Sequence, residues 1–452
     1  MTLGPRQKAI VGSANKHAIL AEFGPIRSNW TKGAWLLKRN QYRIDPCTRL
    51  DTDFDAGKTA VHRHLREYIA SSAITHCMDG WAFLGRAMSA ELQGDPDISR
   101  HLGYYAELRA AMALLAAEGI GVFDKHHVVV NNRSKCECFV GAGRTHAFTW
   151  DALECWANTS SAAQLLFGVI RPGGIPLKEW LDQFSSGAGM QGILAEEWLL
   201  QWGLDIQRLR ADRDARNFAS YRPTAFTSPG ASSISDSLAL AQGLWHLCEP
   251  IGSERFAALD RHLLRSSLEK AFRATHASGR THKQASHSFK QRIARMLHGL
   301  APIGLGADQW REFLRYEDGE SQSEILTYAS GTADERDRDH SRQVLARAML
   351  LLRVATGASA ALLESLPNLN RAEMQFWWSR LGSERGLWND GNPPATFTDM
   401  WADVLDGMIA VADWLSKVPA QERSRARFWK ERPAAASVLG ACERVGFWGL
   451  GL

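Results

Sequence analysis

The chain has 452 residues, of which 45% are hydrophobic, 23% charged and 9% aromatic. This is the composition of a folded globular protein, not of a disordered or fibrous one. Its 53 basic and 49 acidic residues leave a formal charge of +4, so the bulk charge implies no polyanion partner and only a local excess can point to one. Seven scattered cysteines without a C-x-x-C pair argue against a disulfide scaffold or a four-cysteine zinc site.

In chain order, residues 1–45 read as an N-terminal arm, and Met1–Lys16 lacks the apolar core of a signal peptide. Lys58–Glu91 carries apolar residues at helical spacing (Val61, Leu65, Tyr68, Ile69, Ile74, Met78, Trp81, Leu84, Met88), with a break expected near Asp79-Gly80. Gly94–Asp97 forms a turn, after which Ser99 is the expected N-cap of a helix over Arg100–Glu118. Leu102, Tyr105, Leu108, Met112 and Leu115 share one face of that helix, and Gly119 ends it. The period then changes. Ile120–Phe123 and Val128–Val130 flank Asp124–His127 and predict a β-hairpin.

Helical pattern resumes at Thr149–Phe167 and Ile193–Arg210. Arg222–Ser235, rich in Pro, Ser, Thr and Gly, reads as a linker between a helical domain at 46–221 and a C-terminal helical domain at 236–452. Helices are expected in the latter at Ser235–Cys248, Ser253–His276, Ser286–Leu300, Asp334–Gly357, Ala358–Leu366, Arg371–Leu381, Phe397–Val418 and Gln421–Lys430. The fold class is therefore mainly α and multi-helical, with a short β-hairpin in the N-terminal half. The most apolar run, Leu345–Leu363, is interrupted by Arg347 and Arg353, so no membrane span is read and a cytoplasmic protein is expected.

Several short motifs fall below what their chemistry requires. Asp55-Ala56-Gly57-Lys58-Thr59 ends like a phosphate loop, but Thr52 stands where its first glycine belongs. Asp51, Asp53 and Asp55 have calcium-loop spacing without the turn glycine, and an Asp-capped helix start accounts for them. His126-His127 reads as a surface pair at the hairpin turn, since neighbours on a strand point to opposite faces. Cys136-Glu137-Cys138 reads as two ordinary thiols near the hairpin. The 17 tryptophans read mainly as core anchors; Phe376-Trp377-Trp378 cannot all face one way, so at least one is expected at a helix–helix or subunit contact. No metal or cofactor is implied.

The charge distribution is more informative. Lys270, Arg273, Arg280, Lys283, Lys290, Arg292 and Arg295 lie between Lys270 and His298 with no acidic residue after Lys270, interleaved with Phe272, Phe289 and four histidines. Such a stripe suits phosphates, which release counterions when neutralised, and bases, which stack on rings.

One segment resembles a known group. "DGWAFLGRAMSAELQGDP", "SRHLGYYAELRAAMALLAAEGIGVFDKHHVVV" and "GRTHAFTWDALECWA", spanning Thr75–Trp156, are similar to bacterial HEPN-like or YaaC-like helical proteins found beside phage-defence genes, with an echo at His340–Ala358. The resemblance implies a helical fold. In the nuclease members it implies metal-independent RNA cleavage by an Arg-x(4–6)-His pair, in which the His moves a proton and the Arg stabilises phosphate charge. Arg255/His262, Arg280/His287 and Arg292/His298 satisfy the spacing, although roughly four matches arise by chance in a chain with fifteen histidines. Arg280/His287 stands out only through its place in the basic stretch. Within the resembling segment, Glu107 and Arg109 are expected either as a buried pair fixing helix packing or as a polar site with Arg144 or His146.

These readings converge on a non-enzymatic nucleic-acid-binding or scaffold subunit of a defence-type assembly, with protein partners. The alternatives are a metal-independent ribonuclease using Arg280 and His287, and a protein–protein scaffold without nucleic acid.

Overall fold

The computed structural model describes residues 3–56, 61–139, 141–184, 195–221, 230, 232–276, 282–317, 322–332, 337, 339–389 and 391–452. It is mainly α-helical, with one small antiparallel sheet among the described residues. Three long helices form the centre: His62–Gln93, Pro96–Ala117 and His340–Glu364, the third packing against both others. Their contact surfaces are lined by Ala, Gly and Ser as well as Leu and Met, so the backbones approach closely.

Gly80 shows why. A Cβ there would lie 2.6 Å from Leu352 Cδ2 and 3.4 Å from the Ala106 carbonyl oxygen. The helix therefore runs unbroken through Asp79-Gly80, and the glycine serves close packing instead of a break. Gly357 plays a similar part against Val169, so Asp334–Gly357 and Ala358–Leu366 merge into the single helix His340–Glu364. Conversely, Thr149–Phe167 divides into Thr145–Ala157 and Ser160–Val169, with the Thr159 hydroxyl capping the second helix at Ala162 N. The cap of the Pro96–Ala117 helix is Asp95, which accepts from Ile98 N at 3.0 Å while Pro96 takes the first helical position; Ser99 is buried inside the first turn.

Residues 1–45 hold two helices, Pro5–Gly12 and Lys16–Trp30, and Ile19, Phe23 and Ile26 are fully buried. The segments 46–221 and 236–452 contribute to one continuous apolar core, since the His340–Glu364 helix lies on the two longest helices of the first segment. That helix is long and apolar enough by composition to cross a membrane. Here it is buried in protein, and Arg342, Arg347 and Arg353 on it each pair with a carboxylate.

The hairpin forms between β1 (Ile120–Gly121) and β2 (His127–Val130), with Ile120 opposite Val129 and Gly121 opposite Val128. A third strand, β3 (Cys136–Phe139), adds to β2 with Val130 opposite Cys136. Cys136 and Cys138 are therefore sheet residues. Burial pushes both thiols up to about 12, so neither is a thiolate near neutral pH.

His126 and His127 are not surface residues. His127 is fully buried and stacked on Phe148, ring centroids 3.6 Å apart. Its Nδ1 accepts from Phe123 N at 3.2 Å and its Nε2 donates to the Gly143 carbonyl at 3.0 Å. His126 stacks on Phe54 and bonds Asp51. Both rings are covered because the 46–55 and 145–157 helices close over the two faces of the hairpin end. Asp51, Asp53 and Asp55 lie in the later turns of the Pro46–Asp55 helix, whose cap is Asp45; Asp53 is taken by Tyr42 and Arg49. Gly57, Lys58 and Thr59 lie outside the described residues.

Candidate functional site

The basic stretch spans two helices, Ala257–His276 and His282–Gly299. The second is amphipathic. Ile293 and Met296 are buried and Phe289 is partly so, against Phe184 and Phe272. His287, Gln291, Arg295 and His298 are exposed, with half-exposed Lys290 on the same side. The sequence-predicted cations are thus not equivalent. Lys270 is half-buried and donates to the Gln201 carbonyl, and Arg273 pairs with Glu269 one turn earlier. Lys290 pairs with Glu317, which also faces Arg315. Arg292 lies over the rings of Phe184 and Phe272, its centre 5.7 Å from each, so it is a packing residue. Arg295 stands exposed. Lys283 lies in the helix; Arg280 lies outside the described residues, so the Arg280/His287 pair has no described geometry. His287 contacts Gln291 on the exposed face. Arg255 and His262 are separated by their roles: Arg255 pairs with Glu364, while His262 is half-buried against Phe313 and burial lowers its pKa to about 4.

Glu107 and Arg109 do not form a pair, nor a site with Arg144 or His146. They leave their helix on different sides. His146 bonds the Tyr104 hydroxyl at 2.9 Å, and Arg144 faces Asp124. Glu107 enters a buried charge cluster that joins three helices. Arg347 donates to both oxygens of Asp212 at 2.7 Å, and His340 Nε2 lies 3.3 Å from Asp212. The Glu107 carboxylate is 3.8 Å from Arg347. Burial and the negative charge of Asp212 push Glu107 well above the usual carboxylate range. Burial opposes ionisation of Asp212 as well, but Arg347 and His340 outweigh it and hold that carboxyl below its ordinary value. One proton and one carboxylate are therefore shared around one guanidinium, which fixes the packing of helices 96–117, 206–221 and 340–364. A similar role falls to Glu91, which accepts from Ser232, Ser237 and Ser341 hydroxyls and from Arg342.

Arg109 instead turns into a cleft of about 440 Å³. The His62–Gln93 helix presents Tyr68, Ser71, Ser72, Thr75, His76 and Asp79 to it, a polar stripe at positions i, i+3, i+4, i+7, i+8 and i+11. Trp35 and Arg43 from the 31–45 segment form the other wall. Arg109 Nη1 donates to His76 Nδ1 at 2.8 Å. Burial first, and the Arg109 charge second, lower His76 to about 3, so its ring is neutral with Nε2 carrying the proton. Arg109 was singled out in the sequence, but with other partners; the stripe was missed because a polar stripe on an amphipathic helix ordinarily faces water. The available signal was that the opposite stripe is also apolar and small, leaving too little exposed surface for the polar one. A deeper cavity of about 500 Å³ also carries charged groups, but there Arg353 is paired with Asp260 and Arg255 with Glu364.

Among the described residues, no group of three or more His, Cys, Asp or Glu side chains could hold a metal ion. No family model, no curated protein and no solved structure matches this chain.

Proposed function

We propose that the chain is a non-catalytic, nucleic-acid-binding subunit of a bacterial defence-type assembly, working in the cytoplasm with protein partners. The observation that supports this reading is the solvent face of the His282–Gly299 helix. The helix contains no carboxylate, its apolar residues anchor it to Phe184 and Phe272, and His287, Lys290, Gln291, Arg295 and His298 remain on the outer side. A helix anchored in this way is a rigid edge on which a phosphate backbone can lie, with counterion release as the driving force. Arg295 is the primary contact. Lys290 joins it by exchanging its exposed pair with Glu317 for a phosphate, a substitution that costs little because exposed ion pairs contribute little.

The test is fluorescence anisotropy with single-stranded RNA and DNA, comparing the natural chain with Arg295→Glu and Lys290→Glu. Binding that weakens in both variants supports the reading. Metal-free RNA cleavage in EDTA that is lost in His287→Ala would overturn it in favour of a ribonuclease. Partner binding with no nucleic-acid affinity would favour the plain scaffold.

A further inference from the structure

We infer that the cleft between the His62–Gln93 helix and the 31–45 segment is a binding site for a phosphoryl group, either free phosphate or the phosphomonoester end of a small molecule. The kind and number of polar groups brought together there favour such a ligand. Arg43, Tyr68, Ser71, Thr75, His76 and Arg109 all line the cleft, and each carries at least one N–H or O–H donor. A carboxylate has two oxygens to satisfy this number of donors, whereas a phosphoryl group has three that accept strongly.

Three further observations favour an anion. His76 accepts from Arg109 through Nδ1, which orients Nε2–H away from the guanidinium and fixes it as a donor. Among the described residues, Arg109 makes no ion pair within 4 Å and Arg43 makes no side-chain hydrogen bond, whereas Arg342, Arg347 and Arg353 are all paired. Two donors on residues of the walls, Ser71 Oγ and Trp35 Nε1, are buried with no hydrogen-bond partner among the described residues, Ser71 being 4% exposed. Buried donors are ordinarily satisfied, so these two leave the cleft walls short of acceptors. The one carboxylate on the lining, Asp79, faces Arg109, Arg86 and Arg385, so the local field remains positive; burial itself also favours its neutral form. The volume of about 440 Å³ exceeds that of phosphate alone and leaves room beside Trp35 for the body of a small phosphorylated molecule.

Equilibrium dialysis of the full chain against radiolabelled inorganic phosphate, at constant ionic strength in chloride, tests this. One saturable phosphate per chain is expected. Arg109→Gln and Arg43→Gln should each weaken it at least tenfold, while Arg295→Glu leaves it unchanged. Competition by ribose 5-phosphate more tightly than by phosphate identifies a phosphorylated molecule as the ligand; weaker competition identifies free phosphate. Acetate at the same concentration should not compete. Absence of saturable binding overturns the proposal, as does equal affinity in Arg43→Gln. The Arg43 variant keeps the test decisive should Arg109→Gln fail to fold, because Arg43 is exposed and its side chain makes no hydrogen bond or ion pair among the described residues.

Discussion

At the scale of single residues, burial decides which charges this protein carries. Glu107 and Asp212 compete for Arg347, and Asp212 wins because it takes the guanidinium in a two-bond fork. Glu107 keeps its proton, so Glu107→Gln should change stability at pH 7 by less than about 1 kcal/mol, as replacement of one neutral group by another. Asp212→Asn leaves the guanidinium short of a counter-charge and should cost about 3 kcal/mol or more. The double variant should cost more than the sum, because Glu107 can ionise to replace Asp212 only while it is present. Urea unfolding checks all three, and a Glu107→Gln cost equal to that of Asp212→Asn would contradict the assignment.

His127 gives the corresponding pH dependence. Burial lowers its pKa to about 4, while in the unfolded chain it titrates near the ordinary value of 6.5. The unfolded state therefore binds the extra proton first on acidification. The stability contributed by neutral His127 is present above about pH 6.5 and falls away as the pH drops towards 4. His76 and His262 shift in the same direction and add to the effect. Melting temperature should decline over this range, and His127→Phe should flatten the decline while lowering stability near neutral pH, because Phe123 N and the Gly143 carbonyl lose their partner. An unchanged profile in the variant would place the titrating group elsewhere.

At the scale of elements, much was legible in the sequence. Apolar spacing located the 62–93 and 96–117 helices, and the change of period located the hairpin. The face containing Leu108 and Met112 is buried as its spacing predicts, so Leu108→Ala should cost about 2–5 kcal/mol in an unfolding titration. What sequence reasoning could not distinguish was a glycine that breaks a helix from one that lets another helix approach. Gly80 belongs to the second kind, because its neighbour Leu352 comes from 272 positions further along the chain, beyond any local pattern. Gly80→Val should cost about 1–3 kcal/mol through overpacking without removing helix, as circular dichroism can show. A gain in stability would mean the two backbones have slack between them. The same limit explains His127: a strand neighbour is read as alternating, but the covering helix at 145–157 reverses the exposure. The cleft escaped notice for the converse reason, since its polar stripe is ordinary in sequence and becomes unusual only when Trp35 and Arg109 enclose it.

At the scale of the whole molecule, the chain places its strongest charges in two different settings. Arg342, Arg347 and Arg353 in the core are taken by carboxylates and hold helices together. The described members of the basic stretch, which composition shows as seven equivalent cations, resolve into packed, paired and exposed ones. Arg292 is committed to two phenylalanine rings and Lys270 to a backbone carbonyl, so charge counting overstated the surface available to a polyanion. Among the described side chains of the stretch, the basic face that remains is narrow, and the functional reading is tested at Lys290 and Arg295. The decisive measurement is the salt dependence of binding to single-stranded nucleic acid by the natural chain and by the Lys290→Glu, Arg295→Glu variant. Each phosphate neutralised contributes about 0.7 to the log–log slope for a single strand. A steep slope is expected in the natural chain, with a slope shallower by about 1.4 and weaker binding to all sequences alike in the folded variant. A flat slope in the natural chain, or an unchanged slope in the variant, would contradict the functional reading.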